Sequence, residues 1–289
     1  MPTVSANGIT IDYETYGDPT HPALLLIHGL GAQRTDWRQS AIDRFVDDGF
    51  FVVTFDNRDQ GGSTWFDDAG LPDLMAMLFG EGATPAYLLR DMAADAAALL
   101  DSLGLDKVHV LGVSMGGMIS QQFVIDFPER VATLTSIMST PSTSVGPPTE
   151  EAQAALLAPP AEGREAVIDQ SVAVSRIIGS PGFPFDEQDA RERAAVHFDR
   201  GHHPDGTQRQ LAAILCSPDR TEALGSVVVP TLVLHGEADP LITLPGGEAT
   251  AAAIPGSELW VVPGMGHDIP EPVLEELVVR HRALVDQLG

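Results

Sequence analysis

The sequence predicts an α/β fold with a mainly parallel central sheet and helices on both faces. Short, nearly unbroken apolar runs at 23–27, 51–55, 107–111, 131–138 and 230–235 read as strands buried on both faces. Segments with helical spacing alternate with these runs, and strand–helix alternation builds crossovers between parallel strands. The 289 residues suffice for one such domain carrying an insertion.

In chain order, Ile9 to Tyr16 alternates like an antiparallel strand, and Asn7-Gly8 before it is a hairpin turn signal. Ala23 to Ile27 is the first buried strand, Asp36 to Asp48 reads as a helix, and Phe51 to Phe55 is the next strand. Residues 86–103 are Ala- and Leu-rich with helical spacing. Lys107 to Leu111 reads as a strand, Met115 to Phe127 as a helix stopped by Pro128, and Val131 to Met138 as a strand. Alternation resumes at Pro230 to His235, followed by a helix near 245–254, a strand at 257–262 and a helix at 271–287. Between these blocks, 140–224 carries many Pro, Gly and charged residues in broken helical patterns. The expected organisation is a core of 1–139 and 225–289 with a helical cap at 140–224 over the strand ends. A second irregular stretch, 65–84, holds Trp65, Phe66, Leu74, Met75, Met77, Leu78 and Phe79, which would either wall a pocket or pack between this loop and the cap.

Composition narrows the function. The net charge of −25 repels phosphate, so neither nucleic acid nor an anionic membrane surface is an expected partner. No run of 18 apolar residues appears, and Met1 to Ser5 lacks a basic region leading into an apolar stretch. Cys216 is the only cysteine, which excludes an intrachain disulfide and fits a reducing cytoplasm. No Walker or G-x-G-x-x-G motif is present, and no cofactor is expected. His202 and His203, near His197 and Asp199, sit on one irregular segment without further ligands, so no metal is expected.

Gly112-Val113-Ser114-Met115-Gly116 is a G-x-S-x-G pattern between a strand and a helix. Such a turn holds the serine in a strained conformation and lifts its hydroxyl off the sheet, beside a helix N-terminus that favours developing negative charge. Glycines at 112 and 116 remove side chains that would collide across the turn. A serine nucleophile needs a base, and the base needs an orienting acid. Two candidates follow strands at their carboxyl ends, where parallel sheets place function: Asp239 and His267. Ser114 would attack a carbonyl carbon, His267 would take and return the proton, and Asp239 would orient the imidazole. Asp268 and Glu237 are the competing acids. The oxyanion would be met by the backbone amides of Met115 and of Leu30, with Gly31 the next choice. His28 is read as a residue shaping that loop. Gly29, Trp37, Met138 and Ile242 are candidate substrate contacts.

The motifs His28-Gly29-Leu30-Gly31, Asp56 to Ser63, Gly112 to Gly117, His235 to Pro240 and Gly264 to His267 resemble the α/β-hydrolase superfamily over nearly the whole chain. Arg58-Asp59-Gln60-Gly61-Gly62-Ser63-Thr64 and Gly182 to Glu187 are most similar to esterases of the aclacinomycin methylesterase type. The order Ser, Asp, His is that of the superfamily. Many relatives have glycine where this chain has Asp59. The resemblance implies an α/β-hydrolase fold and a serine hydrolase that cleaves a carboxylic ester through an acyl-enzyme, with a small-molecule ester and water as reactants. Lactonase, carbon–carbon bond hydrolase and perhydrolase activities share the machinery. A slow-turnover ligand-binding module is the alternative of another class. Serine at position 114 argues against the dehalogenases and epoxide hydrolases, which use aspartate there.

Overall fold

The computed structural model describes residues 2–78, 82 and 84–288. Its first half runs β1 (Thr3–Ala6), β2 (Ile9–Tyr16), β3 (Ala23–Ile27), α1 (Gln39–Asp47), β4 (Phe51–Phe55), α2 (Leu74–Leu78), α3 (Leu89–Leu103), β5 (Val108–Val113), α4 (Met115–Asp126) and β6 (Val131–Ile137). Five helices follow: α5 (Glu150–Leu156), α6 (Arg164–Ile178), α7 (Glu187–Gly201), α8 (Pro204–Cys216) and α9 (Thr221–Leu224). Then come β7 (Thr231–Gly236), α10 (Pro245–Ala253), β8 (Glu258–Val262) and α11 (Glu271–Asp286).

The strands form one sheet in the order β1-β2-β4-β3-β5-β6-β7-β8. The β1–β2 and β2–β4 pairs are antiparallel, and every later pair is parallel. The hairpin between β1 and β2 turns at Asn7 (φ 48°) and Gly8 (φ 75°), the positive-φ pair that matches strand twist. Strand β1 is too short to have shown alternation; it exists because the turn hands it a partner.

Strand β3 shows why a central strand reads as a continuous apolar run. Leu25 and Ile27 join the core beneath α3 and α4, while Leu24 and Leu26 join the core beneath α1 and α11. Successive side chains leave opposite faces, so both sets must be apolar. Each such leucine is worth about 1.5–3 kcal/mol relative to exposure.

Three expectations change. The helix expected over Asp36 to Asp48 starts only at Gln39, because Trp37 and Arg38 are extended (ψ 121° and 136°) after a 3-10 turn at Arg34–Asp36. The helix expected from residue 86 begins at Leu89. The stretch 65–84 is not wholly irregular: it contains a 3-10 turn at Asp67–Ala69 and helix α2. Among the described residues, no helix is long and apolar enough to cross a membrane.

Candidate active site

Strand β5 delivers Val113 to a sharp turn, and α4 begins at Met115. Ser114 between them has φ 56° and ψ −122°. A non-glycine residue there costs on the order of 1–3 kcal/mol, which the surroundings must over-determine. They do so with two hydrogen bonds: the Ser114 amide donates to the Ile137 carbonyl (2.9 Å) and the Ser139 hydroxyl donates to the Ser114 carbonyl (2.9 Å). The flanking glycines are obligatory. A Cβ at Gly112 would overlap the Gly116 carbonyl and the Ser120 hydroxyl, and one at Gly116 would overlap the Ile27 carbonyl.

The loops after β7 and β8 bring the two partners to this turn. His267 Nε2 lies 2.9 Å from Ser114 Oγ, and His267 Nδ1 lies 2.7 Å from Asp239 Oδ2. Both side chains are buried, at 6% and 0% exposure. The second Asp239 oxygen accepts the amides of Leu241 (2.9 Å) and Ile242 (3.0 Å), so the carboxylate cannot rotate away. Glu237 is exposed, and Asp268 accepts the Ser180 hydroxyl. Neither competes for the imidazole. The His267 amide donates to the carbonyl of Ile178 at the end of α6 (2.7 Å), a contact invisible in the sequence.

The loop after β3 passes directly over the serine. Gly29 approaches so closely that a Cβ there would sit 3.1 Å from Ser114 Cβ. Its amide donates to His28 Nδ1 (2.8 Å), and burial holds the His28 imidazole below its usual range, so it stays neutral and accepts. The Gly31 amide donates to Gln210 Oε1 (2.8 Å), and the Ala32 amide to the Gly29 carbonyl (3.3 Å). The amides of Leu30 and Met115 have no hydrogen-bond partner among the described residues.

A cavity of about 670 Å³ opens over Ser114 and His267. Gly29, Trp37 and Met138 line it, with Leu156 from α5, Val174 and Ile178 from α6, and Phe183 and Phe185 from the loop after α6. Met138 reaches the wall through a positive φ of 41° at the end of β6. Six charged residues, Asp36, Arg38, Asp186, Arg193, Asp268 and Glu271, share the wall with these apolar side chains. Ile242 is a correction: it does not line this cavity but joins the core, because its amide is drawn onto Asp239 while Leu241 takes the wall position. For the apolar residues of 65–78, of the two readings packing is the one found. Trp65 stacks on His203 (3.9 Å between ring centroids), Phe66 packs edge-on to Tyr87, α2 packs on α8, and none of them lines the cavity. Phe79 lies outside the described residues.

The histidine-rich segment disperses. His197 bonds Asp36, and Asp199 bonds Arg164. His203 comes together with Asp59 and Asp67, whose ligand atoms lie within 4.8 Å of one another. The guanidinium of Arg209 already sits among them, 2.7 Å from Asp59 Oδ1 and 3.0 Å from Asp67 Oδ1. A cation would have to displace it. Asp59 itself is fully buried at φ 69°, where glycine is cheap and aspartate tolerated. Its carboxylate accepts the Phe66 amide, the Tyr87 hydroxyl and two Arg209 nitrogens.

Comparison with known proteins gives a consistent picture. A family described as alpha/beta hydrolase fold matches residues 22–180. The rhodomycin D methylesterase DnrP of Streptomyces peucetius is 29% identical, covering 96% of each chain. The 3-oxoadipate enol-lactonase 2 of Acinetobacter baylyi is 26% identical over 90% of this chain and 87% of its own. Among solved structures, an enol-lactonase from Burkholderia xenovorans LB400 superposes with a TM-score of 0.77 at 19% identity, covering 99% of this chain and 100% of its own.

Proposed function

Because the chain belongs to the alpha/beta hydrolase fold family, we propose that it is a serine hydrolase that cleaves a carboxylic ester through an acyl-enzyme. The observation that carries this reading is the continuous Ser114–His267–Asp239 relay, 2.9 and 2.7 Å, opening on one cavity. Ser114 Oγ attacks the carbonyl carbon while its proton passes to His267 Nε2, and Asp239 steadies the resulting imidazolium. The oxyanion accepts from the amides of Leu30 and Met115. The C–O bond breaks, His267 protonates the departing alkoxide, and water repeats the sequence to release the acid and free Ser114.

The apolar side chains of Trp37, Met138, Leu156, Val174, Ile178 and Phe183 favour an ester with a sizeable apolar part. Residues 1–139 and 225–289 serve as the catalytic core, and 140–224 as a cap supplying much of the pocket wall. The single Cys216 accords with a reducing, cytoplasmic setting. The test is hydrolysis of p-nitrophenyl esters of increasing acyl length by the wild type and by Ser114→Ala. Loss of activity by about 10³-fold or more in the variant is the expected result. Activity retained without Ser114 overturns the reading, and no ester cleaved by the wild type directs attention to lactones or carbon–carbon bonds.

A further inference from the structure

The inserted helix α8 reaches past the cavity and touches the catalytic loops from behind. Gln210, on its buried face, has no exposed surface. Its Oε1 accepts the Gly31 amide (2.8 Å), and its Nε2 donates to the Arg58 carbonyl (2.7 Å). One side-chain amide thus bridges the loop after β3 and the loop after β4. Gly31 has φ 70° and packs on Thr207 of the same helix. Glycine reaches this region without cost, but it reaches many others equally well. Left to itself, the segment 29–32 has no reason to keep one peptide orientation.

We propose that Gln210 is a positioning residue for the oxyanion hole: by capturing the Gly31 N–H it fixes the turn that leaves the Leu30 N–H free beside Ser114. The neighbouring donors are all spoken for. The Gly29 amide is held by His28, the Gly31 amide by Gln210, and the Ala32 amide by the Gly29 carbonyl. The rest of the loop is held by the same insertion. Gln33 Nε2 donates to the carbonyls of His197 (3.1 Å) and Gly201 (2.9 Å), and Gln33 Oε1 accepts from Arg200. Preorganised donors do not reorient during reaction, and this is where their catalytic value lies. The inserted helices therefore act on the rate of reaction as well as on which substrate fits. This inference rests on the serine-hydrolase reading of the site.

Two readouts on Gln210→Met and Gln210→Glu separate the two ideas. The first is amide hydrogen exchange of the segment 28–36 in the full chain, which needs no activity. Gln210→Met is expected to speed exchange in this segment at least about tenfold, while Gln210→Glu, whose protonated carboxyl keeps both an acceptor for Gly31 and a donor for the Arg58 carbonyl, stays close to wild type at low pH and loosens the segment as it ionises. The second is steady-state hydrolysis of a p-nitrophenyl ester, with inhibition by a trifluoromethyl ketone that forms a hemiketal on serine. Losing one oxyanion donor costs ~10²–10³ in rate, so displacing it is expected to lower kcat by about 10- to 100-fold with KM within about threefold. Ketone affinity falls in parallel, and Gln210→Glu recovers both only where its carboxyl is protonated. Unchanged exchange in Gln210→Met overturns the proposal, as does faster exchange with kcat intact. If the wild type neither cleaves the ester nor binds the ketone, the hydrolase reading fails, and exchange still decides whether Gln210 holds the loop.

Discussion

Asp59 shows at the scale of one residue how a costly conformation is held. Its left-handed backbone favours glycine, yet its carboxylate is the counter-charge for a guanidinium buried to 2% exposure. Removing one partner of a buried pair costs about 3–5 kcal/mol, whereas relieving the backbone recovers only about 1 kcal/mol. Because Asp67 still contacts Arg209 at 3.0 Å, Asp59→Ala is expected to destabilise by the lower end of that range, about 3 kcal/mol, and Asp59→Gly by somewhat less, both read from urea unfolding. A neutral or stabilising Asp59→Gly would show that Asp67 alone suffices as the counter-charge of Arg209. Residues of this kind divide sharply in how well the sequence reveals them. Ser114 is legible because its glycines stand two positions away on either side, and Asp239 and His267 because each follows a strand. Gln210 is not legible, since its partner Gly31 lies 179 positions away. Ile242 misleads because its direction is decided by a hydrogen bond from its own amide, which no apolar pattern records.

At the scale of elements, α11 buries Val273, Leu274, Leu277, Val278, His281 and Leu284 as one stripe. A histidine inside that stripe is paired with another across the sheet face. His281 packs on Phe45, Phe50 and His109, with Thr135 beside its Nδ1, and His109 meets Thr133. Burial pushes His281 down to about 3 and His109 down to about 4. Arg282 and Lys107 reinforce the effect by like charge, Lys107 on His109 only. Both stay neutral in the folded protein where the unfolded chain would take up protons below about pH 6.5. Their contribution is fully present above that pH and is lost as the pH falls toward 4. The expected slope is up to ~1.4 kcal/mol per pH unit for each histidine. His281→Leu is expected to flatten the loss between about pH 6 and 5 by one proton's worth, measured by urea unfolding at several pH values. An unchanged slope would mean that His281 is protonated within the folded state. The central strands and long helices were legible because both faces or one whole stripe are apolar. Helix starts were not, because Trp37 and Arg38 carry helical spacing while their backbone stays extended.

Across the whole molecule, 41 acidic side chains face 16 lysines and arginines. Many arginines sit in exposed pairs, such as Arg164 with Asp199, and such pairs contribute little. The excess charge repels itself, and the Debye length shrinks from about 30 Å at 0.01 M salt to about 3 Å at 1 M. Raising sodium chloride from about 0.01 to about 0.5 M is therefore expected to raise Tm. A falling Tm would show that local pairs outweigh the net repulsion. The α/β class was legible at this scale from strand–helix alternation alone, while the reach of the helices between β6 and β7 was not. That reach limits how such enzymes can be rebuilt. The segment between β6 and β7 grips the histidine loop through Ile178, Ser180 and Gly182, and the loop after β3 through Gln33 and Gln210. A chimera that borrows this segment from a relative to change selectivity would arrive with its grips mismatched. Such a graft becomes a transplant of three pieces, with 28–36 and 264–268 travelling alongside the insert.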